Sequence, residues 1–121
     1  MATITCFQDI QAWQKSRELV REIYKTAADG RLSRDFGLRD QICRAAVSSM
    51  SNIAEGFARK SDRDFARFLD IAKGSATEVL SLLYVALDIG YIKQDEFGRL
   101  SKLAEEVASL ISGFTSYLRR G

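Results

Sequence analysis

The chain contains no histidine and no proline. The missing histidine removes the commonest general base, the serine–histidine and cysteine–histidine nucleophile systems and most catalytic zinc sites. An enzyme built on this sequence would have to work with carboxylates, lysine or metal-bound phosphate, and GFARKS, residues 56–61, lacks the spacing of a phosphate-cradling P-loop. Proline costs about 3 kcal/mol in a helix interior, so its absence suits a chain that is mostly uninterrupted helix. The two cysteines, Cys6 and Cys43, are far apart and form no C-x-x-C pair. They read as reduced thiols. No apolar stretch approaches the ~20 residues of a membrane span. The opening MATITCFQDIQAW has neither the basic start nor the continuous apolar run of a secretory leader. A cytoplasmic protein without membrane contact is expected.

What is present is a chain of 121 residues with 46% apolar content, the size of one domain with a single core. From Asp9 to Ala28, Ile10, Trp13, Val20, Ile23, Tyr24 and Ala27 recur at helical spacing, with Asp9 placed as an N-cap and Gly30 as a left-handed stop. A second helix is expected from about Asp35, presenting Leu38, Ile42, Ala45, Ala46, Ser49 and Ile53 and ending at Gly56. Ser61 and Asp64 resemble a weak capping box for a third helix that reaches about Ile89. Its inner stripe runs through Phe65, Phe68, Leu69, Ala72, Ala76, Val79, Leu83, Ala86 and Leu87. A second row, Ile71, Leu82, Val85, Ile89 and Ile92, favours a self-association surface. After Gly90, Asp95–Leu118 carries Phe97, Leu100, Leu103, Ala104, Val107, Leu110, Ile111, Phe114, Tyr117 and Leu118. Short connections between four long helices predict an all-α, antiparallel up-down-up-down four-helix bundle over residues 1–121, and the second apolar row favours its assembly as a homo-oligomer.

The formal net charge is only +2, but between Arg31 and Lys73 nine Lys/Arg face six Asp/Glu, an excess of three. Arg59, Arg63 and Arg67 are four apart and flanked by Lys60, and Arg39 and Arg44 are expected to approach the same Gly56 corner from the preceding helix. Such a group suits phosphate recognition through guanidinium forks and point charges. Asp62, Asp64 and Asp70 interleave it, so a solvated, internally neutralised face is the competing reading. Phe65, Phe68, Phe97 and Phe114 fall at core positions, leaving only Phe57, Tyr84, Tyr91 and Phe36 open to exposure, so a base-stacking platform is not expected, and shape and phosphate contacts are the expected mode if RNA is bound. Glu55 and Glu78 stand among small and apolar residues. A carboxylate–metal site is conceivable there, with pairing to arginine or helix capping as the simpler alternative.

The segments FQDIQAWQKSRELVREIYK, FGLRDQICRAAVSSMSNIAEGFARKS and FARFLDIAKGSATEVLSLLYVALDIGYI resemble the proteins encoded in intervening sequences of bacterial 23S ribosomal RNA genes, the S23 ribosomal protein-like family. A looser likeness connects the chain to the accessory proteins of diversity-generating retroelements, which engage nucleic acid and a reverse transcriptase. The resemblance implies a four-helix bundle assembled as a homopentamer, with a role in binding ribosomal or other structured RNA. Asn52, Glu55, Gly56, Arg59, Gly74, Ser75 and Glu78 match the family motif, which implies a close helix crossing at Gly74 and Ser75 with Glu78 paired there. The chain departs from the pattern at Cys43, where arginine is usual, at Met50, where proline is usual, and at Ala58, where glycine is common. The first departure weakens a carried-over phosphate site.

Together these readings predict a non-enzymatic, RNA-associated homo-oligomer without cofactor or metal, touching phosphate through Arg39, Arg44, Arg59, Lys60, Arg63 and Arg67. The alternative is a protein-interaction scaffold that docks a partner protein. A carboxylate–metal enzyme on Glu55 and Glu78 is third.

Overall fold

A computed structural model of the protein describes residues 4–120; Met1–Thr3, the start of the segment read for a leader, and Gly121 lie outside the described residues. The described residues form four long helices and no strand: α1 Gln11–Ala27, α2 Phe36–Phe57, α3 Asp62–Asp88 and α4 Gln94–Arg120. None is long and apolar enough to cross a membrane.

Local chemistry accounts for two of the starts. The Asp35 carboxylate accepts from the Leu38 amide at 3.2 Å and opens α2, while the Ser61 hydroxyl accepts from the Asp64 amide at 3.1 Å and opens α3. α1 begins otherwise. Asp9 closes a 3₁₀ turn over Phe7–Asp9, and the extended Ile10 precedes the helix with no side-chain cap. The buried face of α1 is also rotated from the expected stripe: Ala12, Ser16, Leu19, Ile23 and Ala27 face inward, whereas Tyr24 is half exposed. Small side chains at 12 and 16 let this face approach its neighbours, and Ser16 satisfies its buried hydroxyl by donating to the Trp13 carbonyl at 2.8 Å.

Gly30 and Gly90 adopt positive φ, 65° and 81°, and turn the chain after α1 and α3. α2 ends one residue past the expected end at Gly56, and the glycine itself is not left-handed. α2 runs through it to Phe57, and a Cβ built there would lie 2.7 Å from Phe68 Cβ and 2.8 Å from Phe65 Cδ1. The glycine is a packing contact between α2 and α3, which periodicity cannot distinguish from a stop.

Pairwise contacts set the helix directions. Between α2 and α3, Gly56 meets Phe65, the Ser48 and Ser75 hydroxyls bond at 2.8 Å, and Gln41 donates to Glu78 at 3.3 Å. Between α3 and α4, Phe65 meets Phe114 and Tyr84 meets Phe97, with ring centroids 5.2 and 4.7 Å apart. Between α1 and α4, Lys15 pairs with Glu106, Glu22 with Arg99 and Thr26 with Glu96. In every pair, residue numbers rise along one helix as they fall along the other. The α2–α3 link and the end of α4 therefore share one end of the molecule, and the other two links share the opposite end.

That opposite end is tied by side chains. Arg31 donates to the Gly90 carbonyl at 2.7 Å and lies over the Tyr91 ring, and the Tyr91 hydroxyl donates to Asp35 Oδ2 at 3.0 Å. The bond to the Asp35 carboxylate raises the Tyr91 pKa, because ionisation would remove the donor and set two negative charges side by side. This contribution is intact below the ordinary tyrosine range, about 10, and is lost as pH rises through the higher folded value. Asp35→Ala is expected to cost about 1 kcal/mol for the helix cap alone and more with the tyrosine contact. Tyr91→Phe should keep the cap and make denaturant midpoints less sensitive to alkaline pH than in the wild type.

The inner stripe of α3 is buried as its spacing predicts, apart from the half-buried Leu87. The second apolar row does not stay together. Leu82 (8% exposed) and Ile92 (5%) belong to the core of the protomer, whereas Ile71 (44%), Val85 (42%) and Ile89 (47%) face outward. α3 ends at Asp88, so Ile92 lies past the Gly90 turn and is folded inward instead of continuing the row.

Candidate nucleic-acid interface

Four of the six expected cations meet at the α2–α3 link. The close approach at Gly56 brings the end of α2 onto the first turns of α3, and the Ser61 cap fixes the direction in which α3 leaves the link. Arg59 precedes α3, so it does not continue the helical row of Arg63 and Arg67. Its guanidinium nevertheless lies 4.5 Å from the centroid of Phe68, and that of Arg67 lies 4.9 Å from the same ring. Two exposed arginines are thus held over one nearly buried phenylalanine, a cation–π arrangement that orders the side chains before any ligand arrives. Phe65, on the same turn of α3, packs against Phe57 and Phe114.

The interleaved acids neutralise this surface only in part. Asp64 pairs with Arg67 at 3.5 Å, while Asp70 pairs with Arg119 of α4 at 2.7 Å. Lys60 and Arg63 are exposed and have no acidic partner within 4 Å among the described residues. Sequence reasoning missed Arg119 here, because it lies about fifty residues from the cluster and only the return of α4 brings it close. The terminal basic pair Arg119–Arg120 was the available signal.

Arg39 and Arg44 do not join this group. With α2 paired against α3 as described, Arg39 lies seventeen residues from Gly56, about 25 Å along the helix, at the opposite end. Its guanidinium is engaged by Asp40 at 3.1 Å and by the Ser33 carbonyl, and it stacks 4.7 Å from the Phe36 centroid. Arg44 is exposed on α2 beside two clefts. The same pairing separates the two glutamates. Glu78 bonds to Gln41, fourteen residues from Glu55 on α2, and both glutamates are exposed. They do not form a carboxylate pair, and no group of three or more metal-ligating side chains occurs among the described residues.

The motif residues do structural work along the α2–α3 seam. Asn52 donates to the carbonyl and hydroxyl of Ser48, which in turn meets Ser75, a chain of hydrogen bonds joining the two helices. Gly74 is exposed, and a Cβ added there would meet nothing within 4 Å, so within the protomer it is not the expected close crossing. Cys43 is buried, which pushes its thiol pKa up, and both cysteines are free.

The profile of the 23S rRNA-intervening sequence protein family matches residues 8–113. The chain belongs to that family. A crystal structure of a protein of unknown function from the S23 ribosomal protein family of Bacteroides thetaiotaomicron is similar, with a TM-score of 0.78 and 25% identity over 86% of this chain and 97% of that one. No curated protein matches the chain.

Proposed function

We propose that this protein is a non-enzymatic, cytoplasmic, RNA-associated member of its family, and that the Arg59, Lys60, Arg63 and Arg67 surface contacts phosphates of structured ribosomal RNA. The observation that carries the reading is the pair of guanidiniums ordered over Phe68 beside two unpaired cations. Ordered arginines lose less freedom on meeting phosphate than free ones. The protomer is an antiparallel up-down-up-down bundle, supported by the opposed residue pairings, and assembles as a homo-oligomer, a pentamer by family resemblance. The exposed Ile71, Val85 and Ile89 on one side of α3 support association.

The test is fluorescence anisotropy of a labelled 23S rRNA hairpin against protein at several salt concentrations. Affinity should fall with salt at a logarithmic slope of about −0.7 to −0.9 per phosphate contacted. Arg59→Ala/Arg63→Ala/Arg67→Ala should weaken binding at least tenfold, reduce the slope by about two to three and leave the oligomer intact. Unchanged affinity would refute this surface.

A second reading, docking of a partner protein, is favoured by the apolar trough of about 530 Å³ between the N-terminal segment and α4, where Ile4, Leu110, Phe114 and the exposed Tyr117 meet. It predicts recovery of one defined protein from lysate after nuclease treatment.

A further inference from the structure

We infer that the cleft between α1 and the first half of α2 holds an unpaired nucleotide, its base against Tyr24 and its phosphate on Arg44. This rests on the reading that RNA is the partner, but it uses the opposite end of the molecule from the Arg59–Arg67 surface. The cleft has a volume of about 460 Å³. Tyr24, the buried Cys43, Arg39, Asp40 and Arg44 are among the residues that line it.

Its parts fall into distinct roles. Tyr24, in the last turn of α1, is 50% exposed, and Phe36, at the start of α2, is 63% exposed. Single exposed aromatics are ordinary. The informative feature is that Tyr24 borders a cleft which is also lined by a cation without an acidic partner, Arg44, with Phe36 stacked on its other arginine, Arg39. Arg39 itself is already engaged by Asp40 and the Ser33 carbonyl. Arg44 has no acidic partner within 4 Å among the described residues, and Asp40, the carboxylate that lines the same cleft, is engaged by Arg39, which leaves the Arg44 charge for an incoming phosphate. An aromatic face next to an unpaired guanidinium is the combination by which single strands are held, with stacking supplying sequence-tolerant affinity and the cation tracking the backbone. Sequence spacing hid it, because Tyr24 falls on the apolar stripe of α1 and is turned outward only by the rotation of that helix about its Ala12–Ser16 face.

The experiment uses the full chain with two probes, a single-stranded hexaribonucleotide carrying one 2-aminopurine and a blunt RNA hairpin without unpaired bases. The hexamer should bind with quenching of 2-aminopurine fluorescence. Tyr24→Ala and Arg44→Ala should each weaken it roughly tenfold, whereas Tyr24→Phe, which keeps a ring on the same backbone, should stay within about twofold. Arg59→Ala/Arg63→Ala/Arg67→Ala should leave quenching unchanged while hairpin binding falls. The proposal is overturned if the hexamer is not quenched, or if Tyr24→Ala and Arg44→Ala bind it like the wild type. Wild-type protein that binds the hexamer but not the hairpin counts against the phosphate surface alone, and wild-type protein that binds the hairpin but not the hexamer counts against the cleft alone.

Discussion

Gly56→Ala should lower the unfolding free energy by about 1–3 kcal/mol, the usual cost of forcing an extra methyl into a packed contact. The new Cβ would stand 2.7 Å from Phe68 Cβ and 2.8 Å from Phe65 Cδ1. The first of these is fixed to the α3 backbone, so relief requires α2 and α3 to separate. Helix propensity works in the other direction, since alanine is better than glycine by about 1 kcal/mol in a helix interior, and the steric term must exceed that gain. Gly74→Ala provides the contrast. There the Cβ meets nothing within 4 Å, only propensity operates, and the protomer should be stabilised by about 0.4–1 kcal/mol. Urea midpoints of the two variants should therefore move in opposite directions. A fall for Gly74→Ala would place another copy of the chain against that face. Because Phe68 also carries Arg59 and Arg67, Gly56→Ala should weaken hairpin binding as well, without removing a single charge.

The second large effect is expected at Leu69. It is fully buried on the inner face of α3, and truncation to alanine loses transfer energy and leaves a cavity, together about 2–5 kcal/mol. Against a typical domain stability of about 5–15 kcal/mol, this removes a large share. Ile71, two residues later, is 44% exposed. Ile71→Ala should change protomer stability by no more than about 0.5 kcal/mol, yet weaken self-association if the outward apolar row forms the subunit interface. Thermal unfolding read beside sedimentation velocity separates the two. A large loss of protomer stability in Ile71→Ala, with assembly unchanged, would remove that row from the interface.

The helices themselves were legible because their determinants are local. The Asp35 and Ser61 caps act within three residues, the left-handed turns at Gly30 and Gly90 within one, and the α3 stripe repeats every three or four positions. Where local signals misled, a neighbour made the decision. Gly56 resembles a stop until Phe65 and Phe68 are packed on it, and the apolar stripe of α1 points to Trp13 and Tyr24, whereas the small Ala12 and Ser16 are the residues buried against the neighbouring helices. The candidate site was half legible. Arg59, Lys60, Arg63 and Arg67 are contiguous enough to be grouped on sight, but the placement of Arg39 and Arg44 depended on helix direction, and Arg119 arrives through the return of α4.

By itself, then, the sequence determined four helices, their approximate ends, one basic link and membership of the 23S rRNA-intervening sequence protein family, since each depends on residue types at short, fixed offsets. Tertiary structure alone decided which side of each helix is buried, which apolar residues remain outside and which charges share an end. Those outcomes follow from how closely two backbones can approach, a property of paired surfaces that no single segment carries.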